Sequence, residues 1–464
     1  MFKYLMIAAF GVQMAFVAAV QTAQVAHADQ LDDKILREMQ KQRIPGLSLA
    51  VVQNGKIVRE QGYGFANLEH QVKVTPATIF QSGSVGKQFT AALILLLEQD
   101  GKLSLNDPIS KHLSNTPEIW SGITIRHLLT HTSGLDDPYK NLDFRKDYTD
   151  QEWIDLEGKI PMLFQPGEKW LYSNMGYHLL GFICNKVGGK FYGDQLRERI
   201  FQPLGMESRI INERDIIMHR AAGYDLVKQE WKNQEWTSPS LNSTADGSLY
   251  LTARDLAKWD IALYKDFPLT KQQKEASWTE VKLKDGSQAP YGYGWFLSAI
   301  NGHKNIEHGG AWQGFTTQIN RFVDDKLSVI VLTNRSGSNP KKIADMVAAE
   351  YVAALKIEPA KAIQDQHPAT TKKLSDMLTA IINGSISENL FTEKFVKARF
   401  SERMKALSAE FQRHGAFEKM ELLEAKQAQT QQLSYRIRFK GEIFLMSVEL
   451  DQDGKIDLLR FRVE

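Results

Sequence analysis

The sequence predicts an α/β (α+β) domain with an antiparallel sheet and a helical subdomain, followed by a small α+β C-terminal domain. Three observations support this reading. Near the start, Leu47–Val52 and Lys56–Glu60 flank Asn54-Gly55, the dipeptide that suits a two-residue hairpin turn. Further on, Arg321–Val323 and Leu327–Asn334 read as strands, and apolar helical segments fill the interval between them and the hairpin. Beyond residue 371, two amphipathic segments, Leu374–Ile382 and Glu402–Arg413, precede the strictly alternating Ser434–Lys440. Val448-Glu449-Leu450 and Ile456-Asp457-Leu458 then bracket an Asp453-Gly454 turn.

The 464 residues are 43% hydrophobic and 24% charged, with a formal net charge of +2. With no basic run, this balance points to a globular protein and away from nucleic acid or anionic membranes as partners. Met1-Phe2-Lys3, the apolar stretch Tyr4–Val20 and Ala26-His27-Ala28 read as a secretory signal peptide, residues 1–28, cut before Asp29. A secreted or periplasmic protein is expected, with no transmembrane segment after signal removal. An uncleaved anchor is the alternative, because the run is near spanning length, but Gln13, Gln21 and Thr22 dilute it. The single cysteine, Cys184, excludes an internal disulfide and reads as a small buried apolar residue.

After a short N-terminal helix and the hairpin, Thr75-Pro76 leads to Phe80-Gln81-Ser82-Gly83-Ser84-Val85-Gly86-Lys87. The apolar run that follows, closed by Asp100-Gly101, predicts a buried helix with a glycine stop. Ser84 then stands at the helix N-terminus, with Lys87 one turn on and facing the same way. A serine hydroxyl is a weak nucleophile until a neighbouring base takes its proton. A lysine desolvated against an apolar helix can lose its charge and help do that. Free N–H groups at the helix start favour an oxyanion. Ser-x-x-Lys also arises by chance and serine is a common cap, so residues further along must decide.

Ser104–Pro108 reads as a helix start, and the next helix contains Ile125 to Leu135. His127 and His131 are four apart, as helical zinc ligands would be. Leu128, however, stands where a His-Glu-x-x-His site needs glutamate, so packing and capping are expected and no metal. Past Pro166-Gly167, Tyr172 and Asn174 lie two apart and point the same way from extended chain. A phenol beside an ammonium can have its pKa lowered enough to shuttle protons. An amide can hold a lysine or a substrate carbonyl; a core tyrosine with a polar strand end is the plain alternative. An apolar helix follows from Tyr177 to Val187, ending at Gly188-Gly189. Thr252 caps a further helix, with Asp255 closing a capping box. Tyr291–Phe296 begins an alternating aromatic strand, Ile306–Phe315 follows the Asn301-Gly302 turn, and a helix from Lys342 to Leu355 closes the domain.

Taken in order, Ser84-Val85-Gly86-Lys87, Tyr172-Ser173-Asn174 and His308-Gly309-Gly310 resemble three motifs of the serine β-lactamase and penicillin-binding-protein superfamily. These are Ser-x-x-Lys, Tyr-x-Asn, and Lys-Thr-Gly or His-x-Gly. The likeness is greatest to the class C β-lactamase, D-aminopeptidase and carboxylesterase branch. His131–Leu135, Pro203–Met206, Tyr293-Gly294-Trp295 and Leu332-Thr333-Asn334 also look like the family, and the resemblance spans roughly residues 35–355. It implies a β-lactamase/transpeptidase-like catalytic domain over residues 29–357 and a serine hydrolase without a cofactor. By that resemblance Ser84 attacks a carbonyl, while Lys87 and Tyr172 pass its proton to the leaving group. The N–H groups of Ser84 and Ala311 would bind the oxyanion, and Asn174, His308, Gly310 and Ala311 would line the substrate site.

The acyl donor stays open among β-lactam, D-amino-acid peptide and small ester, with peptidoglycan fragments among the candidate partners. The rival from another class is a catalytically silent sensor of cell-wall peptides or β-lactams. At the third motif the chain departs from the β-lactamase pattern, with His308, Gly309 and Ala311 where a lysine and hydroxyls are common. Losing such a charge-assisted contact costs on the order of 1.5–3 kcal/mol. Because an unperturbed imidazole titrates near ~6.5, the charge on His308 is expected to govern recognition of carboxylate-bearing substrates. Residues 358–371 read as a linker. Residues 372–464 read as an accessory α+β domain, vaguely similar to the nuclear-transport-factor-2-like fold, with no catalytic constellation.

Overall fold

The computed structural model describes residues 30–138, 142–210, 215–397, 400–427 and 430–464, so the expected signal peptide lies outside the described residues. The chain divides into two compact units between Ile357 and Glu358.

In the first unit, helix α1 (30–42) leads into β1 (Gly46–Gln53), β2 (Lys56–Asn67) and the short β3 (Val72–Lys73). Asn54 and Gly55 take φ values of 50° and 73°. This left-handed pair matches the twist of a hairpin, which is why Asn-Gly stands there. Four strands from the far end complete the sheet: β4 (Phe296–Ile300), β5 (His303–Trp312), β6 (Phe315–Phe322) and β7 (Leu327–Thr333). Their order is β4-β5-β6-β7-β1-β2-β3. Strand β1 pairs antiparallel with β7, from Leu47 opposite Thr333 to Gln53 opposite Leu327. The two ends of the unit therefore form one sheet, as the placement of strands in the sequence predicts.

Between the strand groups lies the helical block, with α2 (Lys87–Gln99), α3 (Ile125–Leu129), α4 (Asn174–Gly188) and α5 (Ala253–Ala262); α6 (Pro340–Tyr351) closes the unit. Alternation along β1 divides two cores. Leu47, Leu49 and Val51 join Leu31 and Ile35 of α1 and Ile343 and Val347 of α6. Ala50 and Val52 face the block with Phe89, Leu93 and Trp259. Helix α2 is buried at every residue from Lys87 to Leu97, as a helix apolar on all sides must be.

Several local expectations are revised. Ser104–Pro108 leads only to a 3-10 turn, Ile109–Lys111. The helix expected to reach Leu135 stops at Leu129, because Thr130 Oγ1 turns back onto the Arg126 carbonyl at 2.8 Å and competes with the helical ladder. His131 then adopts left-handed backbone (φ 58°) and shares no helix face with His127. No group of three or more His, Cys, Asp or Glu side chains that could hold a metal ion occurs among the described residues. Asn174 is the first residue of α4, capped by Ser173, rather than part of an extended segment. The aromatic strand begins only at Phe296, because Gly294 (φ 77°) turns the chain onto α2, where a Cβ would lie 2.8 Å from Gln88 Cα. The Thr252–Asp255 capping box forms as expected.

The second unit has helices α7 (Pro368–Ile382) and α8 (Phe400–Gln412) with the short Glu393–Lys397 helix between them. The meander β8 (Phe417–Gln427), β9 (Gln431–Phe439), β10 (Ile443–Leu450) and β11 (Ile456–Val463) follows, paired in chain order. Leu374, Met377, Leu378 and Ile381 pack with Tyr435, Ile437 and Met446 in a separate core. Residues read as linker include the first turn of α7, where Pro368 occupies the position that tolerates a missing N–H. Ile363 N donates to the Leu422 carbonyl at 2.8 Å, so part of that segment follows the sheet. No helix among the described residues is long and apolar enough to cross a membrane.

One ion pair in the first unit is fully enclosed. Arg321 of β6 and Asp260 of α5 are both 0% exposed, and Asp260 also accepts from Ser328 Oγ at 2.8 Å. The guanidinium lies 5.0 Å from the Trp278 ring centre and 5.6 Å from that of Trp295. Asp260→Ala would strand this cation, and is expected to lower the unfolding free energy by about 3–5 kcal/mol in urea denaturation. A loss of about 1 kcal/mol or less, as for a surface pair, would contradict that expectation.

Candidate active site

Ser84 lies in a 3-10 turn (Gly83–Gly86) that runs directly into α2 at Lys87. Continuous helical backbone over three residues brings Lys87 Nζ to 3.2 Å from Ser84 Oγ. Ser84 is half-buried and Lys87 fully buried. Nζ also donates to Asn174 Oδ1 at 2.7 Å and to the Asp246 carbonyl at 2.8 Å. Each of the three ammonium protons thus has a partner. Burial pushes the Lys87 pKa down to about 8, against the pull of the Asp246 and Asp137 carboxylates. When one proton leaves, the remaining two are held by carbonyl oxygens that can only accept. The lone pair then faces Ser84 Oγ, a geometry able to take the serine proton near neutral pH.

Lys87 Nζ lies 5.0 Å from the centre of the Tyr172 ring. The buried Tyr172 hydroxyl faces the Ser84 hydroxyl and makes no hydrogen bond of ordinary geometry among the described residues. Burial raises its pKa well above the ordinary phenol value, and the nearby Ser84 hydroxyl opposes that only in part. The expected lowering of the phenol pKa is therefore reversed. Tyr172 keeps its proton, and Lys87 is the group whose proton is loosened. A neutral phenol beside Ser84 can still relay a proton.

The third motif meets the serine turn through backbone. Strand β4 pairs with β5 only as far as Glu307, which leaves the edge from His308 to Trp312 without a strand partner on that side. A Cβ on Gly310 would lie 2.1 Å from the Ser82 carbonyl and 3.0 Å from Ser84 N; one on Gly83 would lie 2.4 Å from Ala311 N. Only glycine allows this approach, which brings the backbones of Ser84 and Ala311 together. Thr317 Oγ1 fastens the contact by donating to the Ser82 carbonyl at 2.6 Å. Ala311 is exposed, so the pair of backbones opens to solvent.

His308 does not serve as expected. It is 1% exposed; Nδ1 donates to the Gly309 carbonyl at 2.6 Å and Nε2 accepts from the Tyr291 hydroxyl at 2.9 Å. Burial pushes its pKa down to about 3, with only the Gly309 carbonyl opposing, so the ring is neutral throughout the physiological range. Neither nitrogen is free for a substrate, and no charge remains to titrate near neutrality. Enclosure by Tyr291 and Phe296, invisible in the local sequence, is the cause. Asn174, expected at the substrate, is likewise committed to Lys87 on one side and to Asp137 on the other.

Asp137, Asp246 and His178 escaped the sequence reading of the site, and His131 was expected there only to pack or cap. Asp137 accepts from Asn174 Nδ2 (2.9 Å), Ser173 Oγ (3.1 Å) and Met175 N (2.9 Å). Asp246 pairs with His178 at 2.8 Å in a buried setting. Burial alone would raise the Asp246 pKa, but His178 and Lys87 hold it below the usual carboxylate range. The His131 ring packs at a tilt against Tyr172, with ring centres 4.2 Å apart, and accepts from Ser173 N at 3.2 Å. Asp137 stands two residues after the His131–Leu135 word, which is the one available signal; Asp246-Gly247 looks like any turn.

Fold and site together define a class of protein. The beta-lactamase family model matches residues 31–353, and the chain belongs to that family, within the β-lactamase/transpeptidase-like superfamily of hydrolases. Penicillin-binding protein 4* of Bacillus subtilis (strain 168) is 32% identical over 333 residues, which cover 68% of this chain and 73% of that one. The octameric penicillin-binding protein homologue from Pyrococcus abyssi shares the fold, with a TM-score of 0.64, 24% identity, and coverage of 94% of this chain and 96% of that chain. The D-amino acid amidase from Ochrobactrum anthropi SV3 superposes with a TM-score of 0.60 at 26% identity, over 71% and 97% of the two chains.

Gly310→Ala should separate the serine turn from β5. It is expected to slow covalent labelling of Ser84 by a fluorophosphonate by roughly 10²-fold, the scale of a lost oxyanion donor. Labelling at the native rate would show that the close approach is dispensable.

Proposed function

We propose that the chain is an exported serine hydrolase that forms an acyl-enzyme on Ser84, and that it prefers esters and amides lacking a carboxylate, including D-aminoacyl amides, to β-lactams. The observation that carries this reading is the binding of Lys87 by two fixed carbonyl acceptors and Ser84 Oγ. Ser84 Oγ attacks the carbonyl carbon as Lys87 takes its proton. The N–H groups of Ser84 and Ala311 receive the oxyanion. The proton then passes through Tyr172 to the leaving oxygen or nitrogen as its bond to carbon breaks. Water, deprotonated by the same lysine, attacks the ester on Ser84; the released acid leaves and Ser84 regains its proton.

The preference for donors without a carboxylate follows from a strand that offers neither a cation nor a side-chain hydroxyl from His308 to Ala311. The D-amino acid amidase likeness supports an amide as one acyl donor. Export rests on the apolar Tyr4–Val20 stretch and Ala26-His27-Ala28, and a mature N-terminus at Asp29 would be its direct sign.

Profiling against p-nitrophenyl esters, D-aminoacyl amides and a chromogenic cephalosporin tests the proposal. Ester or amide turnover is expected to exceed cephalosporin turnover, and the reverse order would overturn the substrate preference. A labelled adduct that never turns over would instead favour a sensor. Lys87→Ala and Tyr172→Phe should each slow turnover by about 10²-fold or more, and near-native rates would remove that residue from the mechanism. Because Lys87 acts neutral, kcat/KM should rise with pH and level off above about 8. A fall over that interval would mean that the protonated lysine is the working form.

A further inference from the structure

Asn174 has one accepting and one donating end, and its role depends on which of them meets Lys87. We infer that Asp137 is a positioning residue, which locks the Asn174 amide so that the lone pair of Lys87 is directed at Ser84. The inference rests on the proposed role of Lys87 as base.

Asp137 Oδ2 accepts a hydrogen bond from Asn174 Nδ2 at 2.9 Å, while Asn174 Oδ1 accepts one from Lys87 Nζ at 2.7 Å. A carboxylate only accepts, so with Asp137 at one end the amide has a single satisfactory orientation. Reversed, its N–H would face Nζ, where it would either repel the ammonium or capture the lone pair of the neutral amine. That lone pair would then be lost to Ser84. Asp137 cannot swing aside, because Oδ1 is fixed by Ser173 Oγ at 3.1 Å and by Met175 N at 2.9 Å. Both belong to the start of α4, the helix that also presents Asn174.

Asp137 also acts on Lys87 through charge. The groups around Nζ are the carboxylates of Asp137 and Asp246, the phenols of Tyr172 and Tyr177, and the imidazoles of His131 and His308. Both imidazoles are held neutral by burial, with Lys87 and, for His131, also His308 adding to the effect. Asp246 is itself paired with His178 of α4. Glu157, buried near Asp136 and Asp137, is pushed up to about 9 by burial and by those two aspartates, so it adds no charge at neutral pH. The two aspartates are thus the negative charges that raise the Lys87 pKa. Removing one should let it fall further.

The test follows fluorophosphonate labelling of Ser84 against pH in the full chain, with Asp137→Asn, Asn174→Asp and the double variant, and thermal unfolding alongside. Asp137→Asn keeps the shape but turns a donor toward the Asn174 amide. Labelling should slow on the order of tenfold or more, the scale of one charge-assisted hydrogen bond. Its rising limb should also move to lower pH, because a carboxylate near Lys87 is gone. Combining Asp137→Asn with Asn174→Asp restores the order of donor and acceptor while placing a carboxylate against Nζ. The double variant should regain most of the lost rate at high pH, with its limb displaced above that of the native protein.

Two results would overturn the inference. One is native labelling in Asp137→Asn. The other is slowed labelling with an unmoved limb and no recovery in the double variant, the pattern of a merely structural residue. If Asp137→Asn lowers the melting temperature, recovery and the limb shift in the double variant still decide. Unlabelled native protein, or labelling that survives Ser84→Ala or Lys87→Ala, would instead refute the reading of Ser84 and Lys87 beneath the inference.

Discussion

A lysine withdrawn from water must find partners for its protons inside the protein, and this requirement organises the first unit. Leaving an ammonium unpaired in the interior costs several kcal/mol. Lys87 avoids that penalty through acceptors from three separate parts of the chain: the serine turn, the start of α4, and the loop that carries Asp246. The turn and the Asp246 loop are drawn together by pairing of Phe80-Gln81 with Tyr250-Leu251, just beyond each of them. Helix α4 packs directly against α2. The serine turn, α4 and the Asp246 loop thus converge on one nitrogen atom, each anchored by the secondary structure beside it.

The same desolvation separates the roles of the polar groups. It lowers the lysine to about 8 and raises the tyrosine, because burial penalises whichever form is charged. A single environment therefore loosens the proton of one group and tightens that of the other. His308 and His131 respond as Lys87 does, but their ordinary pKa values lie lower, so they end as neutral packing and hydrogen-bonding groups. Of these four side chains, Lys87 is the one that burial brings toward the working range, while the other three are carried away from it.

Much of this was legible in the sequence. Asn54-Gly55 announced the hairpin, the apolar run after Lys87 announced the buried helix, and the order of three short words announced the residues that meet. What was hidden depends on contacts between distant segments. The chain leaves α3 because Thr130 finds a local carbonyl, a competition that periodicity does not report. Tyr291 and His308 stand seventeen positions apart and their hydrogen bond follows from the sheet edge, so the silent imidazole could not be read from its own motif. Asp137 and Asp246 look like turn residues until the fold sets them around the lysine.

The approach of Gly83 to Ala311 and of Gly310 to Ser84 bears on how activity is judged in chains of this kind. Neither glycine carries a functional group, and neither belongs to the set of side chains by which a serine hydrolase is usually recognised. A single methyl group at either place would push two backbones apart while Ser84, Lys87 and Tyr172 stayed intact. A drifting lineage could therefore fall silent without losing any of the residues by which its chemistry is diagnosed. The more telling record of whether such a chain still works lies in its smallest residues.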